Sequence, residues 1–340
     1  MPSAIEKIVK SAGVSRSTAY RVLAGDERVS GETRERVMEA VSRFGEPELR
    51  PRRKPSQRLA VWLPGLGEVL GRAHHRAIVQ ALEEAAAEKN LALEMVSAPV
   101  PKEPSDAVGV IEAAKVRGVL LLSVYSRRVR DALTEKWPVV LFFEAGRDEP
   151  LASIQPDDFT AGYLATKHLV ERGHRRIAVA VGGGYRPVGF SNRFAGGYTL
   201  AMTEAGLAVD RSLIMRDRAN LGPFSSSVGI PPAGPQFLEL KPRPTAIIGR
   251  HETVVGVMRV LFRAGLRVPD DVSVIGYGPE GDEGVVSPKL TSIEFSPREM
   301  AEAALSALAA PERIRSVVTL PVRLDEGDSV RKIKAGKRKG

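Results

Sequence analysis

The sequence predicts an α/β protein in two parts: a three-helix N-terminal headpiece and a doubly wound body of two lobes. Three observations predict it. In the first 45 residues, apolar positions recur at helical spacing in three short runs separated by Gly- or Ser-containing breaks. From residue 59 onward, continuous apolar runs of strand length alternate with amphipathic helical stretches, as in a parallel sheet covered on both faces. The chain has 340 residues and 43% hydrophobic content, enough for two or three domains and a sizeable core.

The headpiece comes first. Ser3 and Glu6 fit a capping box, and Ile5, Ile8, Val9 and Ala12 follow on one helical face. Gly13 breaks that helix. Ser15 can cap a second one, running to about Leu23 with Ala19, Val22 and Leu23 inward. "AGDERVS" is a loop. Ser30 can cap a third helix, with Val37, Ala40, Val41 and Phe44 as its stripe and Gly45 at its end. Two helices joined by a Gly-containing turn make a helix-turn-helix unit. The N-terminal residues of its second helix enter the DNA major groove, which turns Arg16, Ser17 and Tyr20 toward the groove. The competing reading is a small bundle whose polar face is merely solvated.

Charge supports a polyanionic partner. The formal net charge is +9, and residues 1–60 hold thirteen Lys and Arg against eight Asp and Glu. The linker "RPRRKPSQR" (50–58) is basic with two prolines, and the tail "RKIKAGKRKG" (331–340) has no acid. Taken alone, such runs are a solvated linker and a frayed terminus. The chain has no cysteine, which excludes disulfides and thiolate sites. "MPSAIEKIVK" has no long apolar core, so no signal peptide or membrane helix is expected and the protein is placed in the cytoplasm, on the nucleoid. The expected divisions are a headpiece at 1–46, a Pro-containing basic linker at 47–58, a two-lobed body at 59–325 and a basic tail at 326–340.

In the body, strands are expected at "LAVWLP" (59–64), "GVLLLS" (118–123), "PVVLFF" (138–143), "RRIAVAV" (175–181), "TAIIG" (245–249) and "DVSVIGY" (271–277). Helices are expected at 72–89, 158–172 and 252–264. Ligands of open α/β sheets bind at the carboxyl ends of the strands, so the cleft between the lobes is the default site. "LGPFSSSVGIPPAGPQ" (221–236) reads as an irregular loop. His74-His75 reads as a surface pair, not a metal site. "VGGGYRPVG" lacks the dinucleotide spacing and reads as a strand-to-loop turn. With no Ser/His/Asp set, no paired carboxylates and no cofactor motif, the pattern argues against an enzyme.

The segment "AGVSRSTAYRVLAGDERVSGETRERVMEAVSRFG" resembles the DNA-binding headpiece of the lactose/galactose-repressor family of bacterial transcription regulators, without a gap. "PDDFTAGYLATKHLVERGHRRIAVAVGG", "SNRFAGGYTLAMTEAGL", "RPTAII", "GLRVPDDVSVIGYG" and "PKLTSIEFSPREMAEAAL" are similar to blocks of the same family, in the same order. The resemblance implies a periplasmic-binding-protein-like body, a homodimer, double-stranded operator DNA as partner and a small-molecule effector in the cleft. It puts Arg16 and Ser17 at the main base-reading positions and Arg21 near base edges and phosphate. Ser15, Ser30 and Thr33 then hold phosphates. Tyr20 stands where Ser is common and Ala24 where Asn is usual.

Two regions depart from the family. The linker has Pro51 and Pro55 and no wedge leucine, so it reads as an extended strap whose Arg52, Arg53 and Lys54 bind phosphates. In the cleft, Arg193 matches the arginine that grips the effector, but Arg250-His251 replaces Asn-Asp and Gly276-Tyr277-Gly278-Pro279 replaces Gly-Tyr-Asp-Asp. Arg offers only donors, and His accepts only when neutral. Arg193, Arg250, His251 and Tyr277 thus suit an acidic or phosphorylated ligand, with Asp157 the nearby carboxylate expected to balance their charge. A decayed cleft filled by side chains, and an unusual neutral ligand, remain open, as does an interlobe salt bridge for Arg193. A solute-binding protein without DNA function is a further alternative, opposed by the intact headpiece and the missing signal peptide.

Overall fold

The computed structural model describes residues 4–23, 29–44, 57–63, 73–97, 103–122, 126–143, 151–181, 190–216, 233–279, 287–310 and 316–333. It divides into two units, Met1–Gln57 and Arg58–Gly340.

The first unit holds α1 (Ala4–Ala12), α2 (Arg16–Leu23) and α3 (Gly31–Phe44). Ile8, Ala12, Val22, Val37 and Ala40 are buried together, with Val14, Val29, Val41 and Phe44 packed around them. The turn after α1 needs glycine for its backbone alone. Gly13 sits at φ +64°, and a Cβ there would meet nothing within 4 Å. Its N–H and that of Val14 both bond the Val9 carbonyl. Ser15 Oγ accepts the Thr18 N–H at 3.1 Å, and Ser30 Oγ accepts the Thr33 N–H at 3.4 Å, so both expected caps form. The Ser3–Glu6 capping box lies outside the described side chains.

The second unit is built on two six-stranded sheets. In chain order the N-terminal lobe runs β1 (Gln57–Leu63), α4 (Ala73–Glu88), β2 (Leu91–Ser97), α5 (Pro104–Ala114), β3 (Gly118–Leu122), α6 (Arg127–Lys136), β4 (Val139–Phe142) and β5 (Ala152–Pro156). The C-terminal lobe follows with α7 (Asp158–Glu171), β6 (Ile177–Val181), α8 (Phe190–Glu204), β7 (Ile214–Arg216), α9 (Ala233–Glu239), β8 (Ala246–Arg250), α10 (His251–Arg263), β9 (Ser273–Tyr277) and β10 (Thr291–Phe295). The chain returns to the first lobe for α11 (Pro297–Ala309) and β11 (Val317–Leu320), and crosses once more for β12 (Val322–Asp325). The sheet orders are β11-β5-β4-β3-β1-β2 and β12-β10-β9-β8-β6-β7. Three crossovers therefore join the lobes, after β5, β10 and β11.

Residue alternation builds the layers. In β3, Leu120 and Leu122 enter the central core while Val119 and Leu121 enter the outer one; in β6, Ile177, Val179 and Val181 face the central core and Ala178 and Ala180 the other side. The central cluster runs continuously through both lobes. In the C-terminal lobe α7 and α8 cross at backbone contact. A Cβ on Gly162 would lie 2.0 Å from the Phe194 carbonyl oxygen, and one on Gly197 would lie 1.9 Å from that of Phe159. Only glycine at both positions permits that approach.

Two expectations change. Ala233–Glu239 is helical, so the end of the stretch read as irregular loop is α9; residues 217–232 lie outside the described residues. The segment assigned to a basic tail is stitched to the C-terminal lobe as far as Ile333. Ser329 is fully buried and bonds Val274 and Thr291, Arg331 N–H bonds Ser273 Oγ at 3.0 Å, and Ile333 N–H bonds the Arg172 carbonyl at 2.8 Å. These hydrogen bonds give the segment's backbone groups partners that a frayed terminus lacks. Among the described residues no helix is long and apolar enough to cross a membrane.

Candidate functional site

In the headpiece, α2 begins at Arg16, which puts Arg16, Ser17 and Tyr20 in the first two turns of the second helix of the helix-turn-helix; their side chains lie outside the described ones. Arg21 is exposed on the same helix, while Val22 is 3% exposed and faces the core. The caps bear on the phosphate-holding residues. Ser30 Oγ–H donates to Thr33 Oγ1 at 2.9 Å, leaving Thr33 as the member of that pair with a hydroxyl proton to give an outside acceptor. Ser15 and Thr18 form the equivalent pair at 2.8 Å. Arg52, Arg53 and Lys54 fall outside the described residues.

In the body, two strand ends and the helices beside them carry the expected cleft residues. Tyr277 closes β9, Arg250 closes β8, and His251 opens α10 directly after it. Arg193 reaches from α8. Arg193 and Tyr277 converge on a carboxylate that sequence reading missed. Asp158, 4% exposed, accepts from Arg193 Nε at 3.0 Å and Nη2 at 2.5 Å through one oxygen. Its other oxygen accepts from the Tyr277 hydroxyl at 2.7 Å. Burial first, then the Asp158 charge and its hydrogen bond, hold the Tyr277 phenol well above its ordinary value; Arg250 and Arg193 pull the other way. Two guanidinium groups and one carboxylate thus act on the same hydroxyl.

Asp157, expected to balance the cleft, does something else. Its Oδ1 accepts the Thr160 N–H at 2.9 Å and its Oδ2 the Thr160 hydroxyl at 2.6 Å, so it is the N-cap of α7. Asp158, one residue on, is the first helical residue and turns to Arg193. The salt bridge left open for Arg193 exists, but within the C-terminal lobe. The two aspartates are adjacent, and only the start of α7 decides which caps and which pairs.

His74 and His75 also differ from expectation. They are 6% and 2% exposed, at the start of α4, and not a surface pair. Their rings lie 4.2 Å apart and both pack on Phe143, at 5.3 and 5.7 Å. His74 Nδ1 is 4.0 Å from Glu252 Oε1, across from α4 to the first turn of α10. Phe143 in turn meets Phe295 from the other lobe at 6.1 Å. Local sequence holds no signal for this burial, because the ring packed on both histidines comes from residue 143. His251 is 3% exposed, with Nδ1 beside Gly276. Among the described residues no group of three His, Cys, Asp or Glu is placed to hold a metal ion.

Comparison with known proteins fits both units. Residues 4–45 match the model of bacterial regulatory proteins of the lacI family, and residues 166–330 match a periplasmic binding protein-like domain. The chain is 28% identical over 311 residues to the HTH-type transcriptional regulator DegA of Bacillus subtilis (strain 168), covering 88% of each chain. It is 28% identical over 331 residues to the HTH-type transcriptional regulator CelR of Thermobifida fusca, covering 94% of each. The solved structure of a CelR–cellobiose complex superposes with a TM-score of 0.68 at 25% identity, covering 97% of this chain and 100% of that one. The chain carries a helix-turn-helix domain of the lacI family of bacterial regulatory proteins and a periplasmic-binding-protein-like domain, and its homologues are DNA-binding transcription regulators of that family.

Proposed function

We propose that this regulator is a cytoplasmic repressor that binds a near-palindromic operator as a homodimer, performs no catalytic step, and answers to a small acidic effector in the interlobe cleft. Arg16 and Ser17 read bases, Arg21 works at base edges and phosphate, Tyr20 lies against the groove, and Ser15, Ser30 and Thr33 serve the phosphates. Arg52, Arg53 and Lys54 add phosphate contacts from the linker. One headpiece offers few contacts, and two-fold DNA sites match dimers of such motifs.

The acidic effector is supported by one observation: the charges of Arg193 and Arg250 both bear on the Tyr277 hydroxyl, beside the carboxylate of Asp158. A carboxylate or phosphate brings acceptors to that group of donors. Calorimetry with acidic metabolites and neutral sugars, on the protein and on Arg250→Asp, tests it. The substitution is expected to weaken the acid at least tenfold and leave the sugar unchanged. Tight binding of an uncharged sugar, insensitive to Arg250, refutes it. A second reading, a regulator with no effector, is favoured by the pairing of Arg193 with Asp158, which already neutralises the gripping arginine. In that case no metabolite changes operator affinity in a gel shift.

A further inference from the structure

Phe, Tyr and Trp make up only 5% of the chain, so a convergence of rings at one place does not follow from composition. One exists at the seam between the lobes. From the N-terminal lobe come His74 and His75 at the start of α4 and Phe143 just past β4. From the C-terminal lobe come Phe295 and Tyr277, at the ends of β10 and β9, and Phe194 of α8. The contacts form one path: His74 to Phe143 edge-on at 5.3 Å, Phe143 to Phe295 at 6.1 Å and 68°, Phe295 to Tyr277 at 6.1 Å and 63°, and Tyr277 to Phe194 at 5.4 Å. Three of these rings sit at carboxyl ends of strands, where open α/β sheets hold their ligands.

Phe143 stands out. Its backbone is left-handed, at φ +67°, a conformation that bulky residues avoid. Strain of this kind collects at ligand clamps and persists only where the surroundings enforce it. Here the Phe143 N–H is held by the Ile154 carbonyl at 3.0 Å, and the result is a ring presented to the other lobe.

The path ends at the Tyr277 hydroxyl, with Asp158, Arg193 and Arg250 around it. Both Asp158 oxygens already accept hydrogen bonds, three in all. A polyol hydroxyl brings a donor as well as acceptors to this end, where both Asp158 oxygens are already engaged. An aromatic carboxylate brings no donor. Its ring carries no donor and fits between edge-on rings in offset or edge-to-face geometry, and its carboxylate offers acceptors only.

We propose that the effector is an aromatic acid, its ring entering at the Phe143–Phe295 junction as the lobes part there and its carboxylate directed to Arg250 and Arg193. The proposal rests on the acidic-effector reading and adds the ring. The test uses four probes on the full-length protein, by calorimetry: benzoate, benzyl alcohol, succinate and cellobiose. Benzoate is expected to bind at least tenfold tighter than each of the others. Phe143→Gly, which removes the ring and suits the left-handed backbone, should bring benzoate down to the succinate level and leave succinate unchanged. Phe295→Leu, checked for an unaltered melting transition, should do the same from the other lobe. Succinate binding as tightly as benzoate, untouched by Phe143→Gly, overturns the ring and leaves the acidic reading standing. Benzyl alcohol binding as tightly as benzoate, with succinate not binding, overturns the acid and this proposal with it. No binding by any probe overturns the aromatic acid, and separate acidic metabolites then decide the broader reading.

Discussion

In the headpiece, Ile8, Ala12, Val22, Val37 and Ala40 hold three helices together, and the residues assigned to DNA belong to helix positions and turns outside that small core. In the body the order is inverted. Arg193, Asp158 and Tyr277 lie beside the central core, joined through the Asp158 carboxylate, with Phe194 and Phe295 packed on the Tyr277 ring. In the headpiece the working residues Ser15 and Ser30 enter the fold only as helix caps; the body builds its working side chains into a buried network. A substitution at a headpiece position that caps no helix, such as Arg21, should therefore change recognition alone, while one in the cleft should change recognition and folding together.

The largest expected effect tests the body. Asp158→Ala removes a carboxylate that accepts from both the Arg193 guanidinium and the Tyr277 hydroxyl in a nearly closed site. Removing one member of a buried pair costs about 3–5 kcal/mol; Arg193 is 22% exposed on its side chain, which favours the lower end. Denaturant unfolding should show the loss in the body, while a headpiece-only transition keeps its midpoint. Asp157→Ala removes a helix cap and should cost about 1 kcal/mol. Equal losses from the two variants would contradict the division between cap and pair.

Next in size is a pH effect confined to the body. His174 is fully buried; Nε2–H is assigned as donor to the Arg331 carbonyl at 3.2 Å, and Nδ1 as acceptor from Thr245 at 2.9 Å. Burial pushes its pKa from 6.5 down to about 4, with the Arg331 hydrogen bond opposing. The unfolded chain therefore binds a proton between those values that the folded chain refuses. The stability is complete above pH 6.5 and falls as pH drops toward 4, by about 3 kcal/mol over the window. Urea midpoints of the body at pH 7.5 and 4.5 should differ accordingly, and His174→Gln should flatten much of the difference. The stitched segment from Glu326 to Ile333 should loosen with it, since Arg331 is the partner.

The same contrast explains what sequence could tell. Gly13, Ser15 and Ser30 act on residues three or four positions away, so the headpiece's turns and caps were legible as spacing. The buried strands β1, β3, β4, β6, β8 and β9 were legible as apolar runs. The polar or short strands "ASIQP", "TSIEF" and "IMR" were not, because only their neighbours in the sheet make them strands. Arg193, Arg250, His251 and Tyr277 were found by resemblance, yet their bonding was not. The Asp158–Tyr277 contact joins positions 119 residues apart, and His74 and His75 pack on a ring at 143.

Arg16→Ala tests the headpiece side of the comparison. A bidentate arginine–guanine contact contributes about 1–3 kcal/mol of discrimination. Selection from random operators should show preference flattened at one position per half-site, with the melting of both units unchanged. A destabilised headpiece would mean that Arg16 belongs to the fold after all.

The smallest expected effect concerns the linker. Arg52, Arg53 and Lys54 flank prolines at 51 and 55, and an interior proline costs a helix about 3 kcal/mol, so this stretch is expected to lie along DNA as an extended strap. Contacts to phosphate release counterions, and each one lost lowers the slope of log affinity against log salt by roughly 0.9. Replacing all three with alanine should lower that slope by up to about 3, evenly across operator sequences. Base preference stays with α2, because phosphates carry no sequence. Without a wedge residue, the DNA should also be bent little at the operator centre. An unchanged salt slope, or a sharp central kink abolished by the triple substitution, would assign the linker to shape recognition instead of charge.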